Sequence, residues 1–104
     1  MRRWYVAQTH SHAEATAIGH LRRQGFEAYL PQYRKTRRHA RRTERVRAPL
    51  FPGYLFIALD VARERWRSIR STVGIRGLIC DGETPVAVPD GIVDGIRARE
   101  DDEG

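Results

Sequence analysis

The chain has 104 residues, 40% apolar and 31% charged, with 19 Lys+Arg against 13 Asp+Glu for a formal charge of +6. That length suits one domain with a modest core, and no apolar stretch nears the roughly 18 residues of a membrane span or reads as a secretory leader. The single cysteine, Cys80, excludes an internal disulfide and a multi-cysteine metal site, and it fits a reducing, cytoplasmic setting.

Trp4 to Thr9 is short and rich in β-formers, which predicts a strand. Ser11 to Gln24 predicts a helix, with Ser11 as N-cap, Glu14 completing a capping box, and Gly25 in the C′ position. Ala17, Leu21 and Ile18 form its core side, while Thr16, His20 and Arg23 share an outer face. Phe26 to Leu30 reads as a second strand, ended by Pro31. Tyr33 to Lys35 and Glu44 to Arg47 suit the arms of a hairpin, with Thr36 to Thr43 a tip too basic to pack. Tyr54 to Leu59 reads as a central strand. Asp60 then caps a helix from Val61 to about Ser71, with Ala62, Trp66 and Ile69 facing in and Arg63, Arg67 and Arg70 facing out. Gly74 to Cys80 predicts a strand, Asp81-Gly82-Glu83 a turn, and Val86 to Val88 a short edge strand. Pro89-Asp90 opens a last helix to about Arg99, striped with Ile92, Val93 and Ile96. Residues 100–104 read as an acidic tail or the start of a linker. Connections this short favour an α+β sandwich on a mainly antiparallel sheet.

The charge is unevenly placed. Residues 34–47 hold eight bases and one acid, whereas residues 81–104 hold two bases and eight acids. Arg34, Lys35, Arg37, Arg38, Arg41, Arg42, Arg45 and Arg47 thus form a cationic insert in a near-neutral domain. Such an insert attracts polyphosphate, and with no aromatic residue between Tyr33 and Phe51 it suits backbone contact better than base stacking. The plain alternative is a solvated loop. The stretch Leu50 to Leu59 is apolar on both faces. It reads either as a central strand covered on both sides or as an aromatic partner site at Tyr54 and Phe56. His10, His12, His20 and His39 lack carboxylate or cysteine companions at ligand spacing, so no metal or cofactor site is expected. No nucleophile sits with a base, and no glycine-rich phosphate loop is present.

Trp4-Tyr5-Val6, the helix after it, Leu50-Phe51-Pro52-Gly53-Tyr54-Leu55-Phe56, then Trp66, Ile69-Arg70, Thr72-Val73-Gly74-Ile75, Pro85 and Val88-Pro89 resemble, in order, the N-terminal (NGN) domain of NusG-family transcription elongation factors. His20, Arg23-Gln24 and Leu-Phe-Pro-x-Tyr-Leu-Phe look closer to the specialised RfaH-type antiterminators. The resemblance implies an NGN sandwich over residues 1–99, with a four-stranded sheet, about three helices and a basic β-hairpin at 34–47. It also implies a monomeric, non-enzymatic factor that binds RNA polymerase across its cleft and suppresses pausing. Pro52, Tyr54, Phe56 and Ile96, with His20 and Arg23, would meet the β′ clamp helices, or His20 and Arg23 the non-template DNA. Arg65, Trp66 and Arg67 stand where RfaH-type proteins carry His-Thr-Thr for the β gate loop, and Asp81 stands where an aromatic lines the apolar depression. The eight bases of the hairpin would face upstream duplex DNA. Full-length relatives add a KOW domain, which this chain does not contain. Two other readings stand beside this one: a free RNA- or DNA-binding module of the ribosome-associated kind, and a small nuclease using Asp60 or Asp81. The latter lacks paired carboxylates beside a histidine.

Overall fold

The computed structural model describes residues 1–103, with side chains described through Glu100. Six longer strands and two α-helices organise the fold: β1 (Arg3–Thr9), α1 (Glu14–Arg23), β2 (Glu27–Tyr29), β3 (Gln32–His39), β4 (Arg42–Pro49), β5 (Tyr54–Leu59), β6 (Ile75–Leu78) and α2 (Ile92–Glu103). A 3₁₀ helix spans Trp66–Ser71, and the two-residue strands β7 (Cys80–Asp81) and β8 (Thr84–Pro85) close a small hairpin before α2.

The sheet is four-stranded and antiparallel, in the order β2-β5-β1-β6, as the α+β reading expects. Alternation along β1 and β5 divides it into two faces. Tyr5, Ala7, Leu55, Ile57 and Leu59 pack with Ala17, Ile18 and Leu21 of α1 and with Ile69 of the 3₁₀ helix. Tyr29 and Phe56 pack with Val93 of α2, and Trp4, Val6, Val88 and Ile96 close around them. The sheet is therefore covered on both faces, and its apolar residues alternate without a polar side.

Gly25 and Phe26 end α1 in a Schellman motif, donating to the carbonyls of Arg22 and Leu21 at 3.0 and 3.1 Å. The start of α1 differs from the expected capping box. The helix begins at Glu14, His12 takes a left-handed φ of 58°, and no side chain caps the first turn. Glu14 instead reaches out to another segment, described below. Gly74, with φ +89°, lies where a Cβ would come within 3.1 Å of Ala17 Cβ and 3.2 Å of Ala13 O, so helix and strand approach closely only because it is glycine.

The expected helix from Val61 forms only in part. Asp60 accepts from the Ala62 amide at 3.1 Å and starts one turn. Regular structure resumes as the 3₁₀ helix at Trp66, with Ile69 buried and Ala62 exposed. One alanine gives the first turn too little apolar surface to hold a continuous helix against the sheet. At the other end α2 continues past Arg99 to Glu103. Glu100 is not tail: its carboxylate accepts from the Tyr29 hydroxyl at 3.2 Å and from the Gln32 amide at 2.6 Å. Gly104 lies outside the described residues. Val86 to Val88 does not form a strand; Ala87 makes an isolated bridge to Tyr5.

The segment expected as a loose tip, Thr36 to Thr43, is mostly ladder. β3 and β4 pair without interruption from Gln32–Pro49 to His39–Arg42, as a two-stranded sheet separate from the main one. Ala40 and Arg41 make the turn with φ of 50° and 67°, the backbone signs of a type I′ hairpin. Eight residues per strand carry the ribbon about 26 Å, in keeping with a molecule measuring 51 × 28 × 25 Å. From Arg34 to Arg45 every side chain of the ribbon is exposed, so mutual pairing rather than packing holds it straight.

Candidate interaction site

The apolar stretch before β5 enters the strand through a tethered turn. Leu50 N–H donates to Pro31 O at 2.8 Å, Thr9 N–H to Gly53 O at 2.8 Å, and Tyr54 N–H to Phe51 O at 3.0 Å. The Gly53 N–H donates to the buried carboxylate of Glu14 at 2.9 Å. Gly53 takes φ +87°, which favours glycine. Three hydrogen bonds to other segments and one within the turn thus fix it with its side chains outward: Leu50 and Phe51 are 42% exposed and Tyr54 is 40% exposed. The rest of β5, Leu55 to Leu59, is buried.

This arrangement divides the residues expected at an aromatic partner site. Tyr54 is on the surface, but Phe56 is only 8% exposed and belongs to the core beneath α2. Phe56 stacks on Tyr29 at 6.4 Å between centroids, and Phe51 meets its edge at 6.2 Å. The β5 alternation puts Phe56 between β1 and β2, where α2 covers it, whereas Tyr54 lies two residues beyond the last pair with β2. Phe51, rather than Phe56, supplies the second exposed ring. Alternation counted from Tyr54 passes over Phe51 because it precedes the turn; its place beside Pro52-Gly53, a natural break in a strand, was the available signal. Pro52 is exposed, and Ile96 is partly buried against Val93, with Ile92 of the same helix 48% exposed.

His20 and Arg23 sit on α1, which covers the opposite face of the sheet from α2. His20 is half-buried and Arg23 exposed. They do not form one patch with Tyr54 and Ile96, because the sheet stands between.

Trp66 and Arg67 line a cleft of about 590 Å³ that also receives Arg70, Arg76 and Glu83. Arg67 stacks its guanidinium 4.8 Å above the Trp66 ring. Arg65 is exposed and lies outside the lining of the cleft. Cationic side chains thus surround an indole here, in place of a purely polar surface.

The hairpin lies in the chain between β2 and the turn that leads into β5. Its root is held by Glu100 on Gln32, and Arg97 of α2 lies 4.6 Å over Tyr29 and 5.2 Å over Trp4. All eight basic residues of the insert lie on the ribbon or its turn. An acidic partner is present at Glu44, whose Oε1 lies 3.7 Å from Arg37 Nε. Asp60 accepts from the Met1 ammonium at 2.8 Å, which holds its carboxyl below the usual range, with lesser help from the Ala62 amide and Arg63 against partial desolvation. Among the described residues no group of three or more His, Cys, Asp or Glu is placed to hold a metal ion. No helix among them is long and apolar enough to cross a membrane.

Comparison with known proteins follows the same outline. The family model described as "Transcription termination factor nusG" matches residues 2–97. A transcription termination/antitermination protein NusG from Thermus thermophilus is 43% identical over 54 residues, covering 47% of this chain and 29% of the relative. The protein of the same description from Staphylococcus carnosus is 25% identical over 87 residues, covering 75% of this chain and 48% of the relative. The chain therefore spans less than half the length of these curated relatives. Among solved structures, Thermotoga maritima NusG superposes with a TM-score of 0.60 at 24% identity, over 86% of this chain and 52% of that one, a likeness of fold.

Proposed function

This chain belongs to the NusG family of transcription termination and antitermination factors, and from that premise we propose that it binds RNA polymerase at the β′ clamp helices, bridges the cleft and suppresses pausing. The turn residues Leu50, Phe51, Pro52 and Tyr54 receive the tip of the clamp helices, with Ile92 and Ile96 flanking from α2. The Trp66–Arg67 cleft faces the gate loop, and the basic hairpin leans on upstream duplex DNA. His20 and Arg23, on the other face, are left to non-template DNA rather than to the clamp helices.

The observation that carries this reading is the pair of half-exposed rings, Phe51 and Tyr54, on a turn held by three backbone hydrogen bonds and one to the Glu14 carboxylate. Exposed aromatic rings on a rigid support make anchors, because little side-chain entropy is lost on binding. The action needs no bond chemistry. A ligand that fits only the closed clamp shifts the equilibrium away from paused states by its differential affinity. Coupling of about 1–3 kcal/mol would change the closed-to-open ratio roughly 5- to 150-fold.

The test is a pull-down of core RNA polymerase, and of an isolated clamp-helix fragment, with the wild-type chain and with Phe51→Ala/Tyr54→Ala. Wild-type capture of both, lost in the double variant while duplex DNA affinity is kept, is expected. Undiminished capture by the double variant would overturn the site. Binding of DNA by the wild type without any capture of polymerase would favour a free nucleic-acid module.

A further inference from the structure

The register of the hairpin sorts its charges onto two unlike faces. Directly opposed residues share a face, and alternate rungs share it with them. The rungs Arg34–Arg47, Thr36–Arg45 and Arg38–Thr43 therefore present one face. Tyr33–Ala48, Lys35–Val46, Arg37–Glu44 and His39–Arg42 present the other. Beyond the half-buried Gln32–Pro49 rung at its root, the first face carries arginine and threonine alone. The second mixes its bases with an acid, Glu44, which lies 3.7 Å from Arg37, and with the apolar Val46 and Tyr33. Neither the sequence count nor the segment charge reveals this division, since the bases alternate irregularly along the chain.

We infer that the hairpin is a one-sided grip: Arg34, Arg38, Arg45 and Arg47, with the hydroxyls of Thr36 and Thr43, dock on the phosphates of duplex DNA, and the Lys35–Glu44 face turns away. The inference rests on the reading that the hairpin meets DNA and adds which surface does so. Guanidinium and hydroxyl groups are side chains that hydrogen-bond phosphate oxygens, and from Arg34 outward this face carries only those. From Arg34 to Arg38 the face runs four residue steps along the strand, about 13 Å. One strand of B-DNA places about four phosphates in that axial length. A single strand is the poorer fit, because the face has no ring on which a base would stack. An acidic protein is poorer too, because the face has no apolar or aromatic centre for a protein interface. On the second face the Glu44 carboxylate would be brought against phosphate, and its repulsion would offset part of the attraction of Arg37.

The experiment compares two charge-matched variants of this chain, Arg38→Gln/Arg45→Gln/Arg47→Gln and Lys35→Gln/Arg37→Gln/Arg42→Gln. Affinity for a short blunt-ended DNA duplex is measured across a salt series. Each lost phosphate contact removes about 0.9 from the slope of log affinity against log salt. The first variant should lose about 2–3 from the slope, so that raising salt from 50 to 200 mM weakens it roughly 40-fold less than the wild type. The second should lose less than about 1. Equal losses in the two variants would overturn the one-sided grip while sparing the wider reading. A wild-type chain with no salt-dependent duplex affinity would overturn both, and tighter binding to single-stranded DNA or to RNA would overturn the choice of duplex. Circular dichroism melts check folding. If a triple variant melts early, Arg45→Gln and Lys35→Gln alone must show the same order, or the inference fails.

Discussion

Glu14 is the residue whose loss should be felt farthest from its own position. Its carboxylate is 7% exposed and takes the Gly53 N–H at 2.9 Å, joining the start of α1 to the turn that displays Phe51 and Tyr54. Glu14→Ala removes a hydrogen bond to a charged acceptor, in the range of about 1.5–3 kcal/mol, and strands a backbone donor. For a domain of this size about 2 kcal/mol corresponds to a fall in Tm of roughly 8–16 °C. Glu14→Gln keeps a neutral acceptor of the same shape and should recover more than half of that loss. Amide hydrogen exchange supplies the local assay. The Gly53 and Tyr54 amides should lose protection in Glu14→Ala before the amides of Ile57 and Leu59 do, and affinity for the clamp-helix fragment should fall with them. If Gly53 protection is unchanged while the whole domain loses stability, Glu14 acts only through α1 and the tether has no part in presenting the rings.

Three further outcomes follow from the structure. Phe56→Ala should destabilise the fold by about 3–5 kcal/mol, whereas Tyr54→Ala should cost under about 1 kcal/mol; denaturant titration reads the contrast, and equal effects would mean the two rings share one environment. Gly74→Ala combines a left-handed φ with a Cβ pressed on Ala17 and the Ala13 carbonyl, and urea unfolding should show a loss of about 2–4 kcal/mol. The Met1 ammonium lowers the Asp60 pKa, so this contact stabilises the fold above the ordinary carboxylate range and the contribution is lost as pH falls through the lowered value. Thermal melts of the chain and of Asp60→Asn should thus differ at neutral pH and converge in acid; a constant difference down to the lowest pH would assign the effect to something other than this carboxylate.

Much of the frame was legible because it depends on local pattern. The β-rich ends of the sheet, the Gly25 stop after α1 and the antiparallel arrangement required by short connections all agree with the structure. What was not legible depended on partners distant in sequence. Ser11 and Glu14 have the spacing of a capping box, but Glu14 is taken by Gly53, 39 residues away. Glu100 looked like the first residue of an acidic tail until Tyr29 and Gln32 met it. Thr36 to Thr43 reads as a tip too basic to pack, yet the ladder continues to His39–Arg42, because backbone pairing extends the ribbon without any need to bury its side chains. At the candidate site the aromatic content of 50–56 was readable, but which ring is covered was not. That depends on where β2 ends and on α2 crossing the same face, facts held elsewhere in the chain.

The clasp between Glu100 and the first residue of β3 bears on how this domain should be cut for use. Likeness to the family extends over residues 2–97, and an excision at that boundary would delete the carboxylate that buttresses the foot of the arm. Such a fragment would keep Val93 and Ile96 over the sheet, but its arm would swing more freely, and a rigid outrigger would become a loose tether.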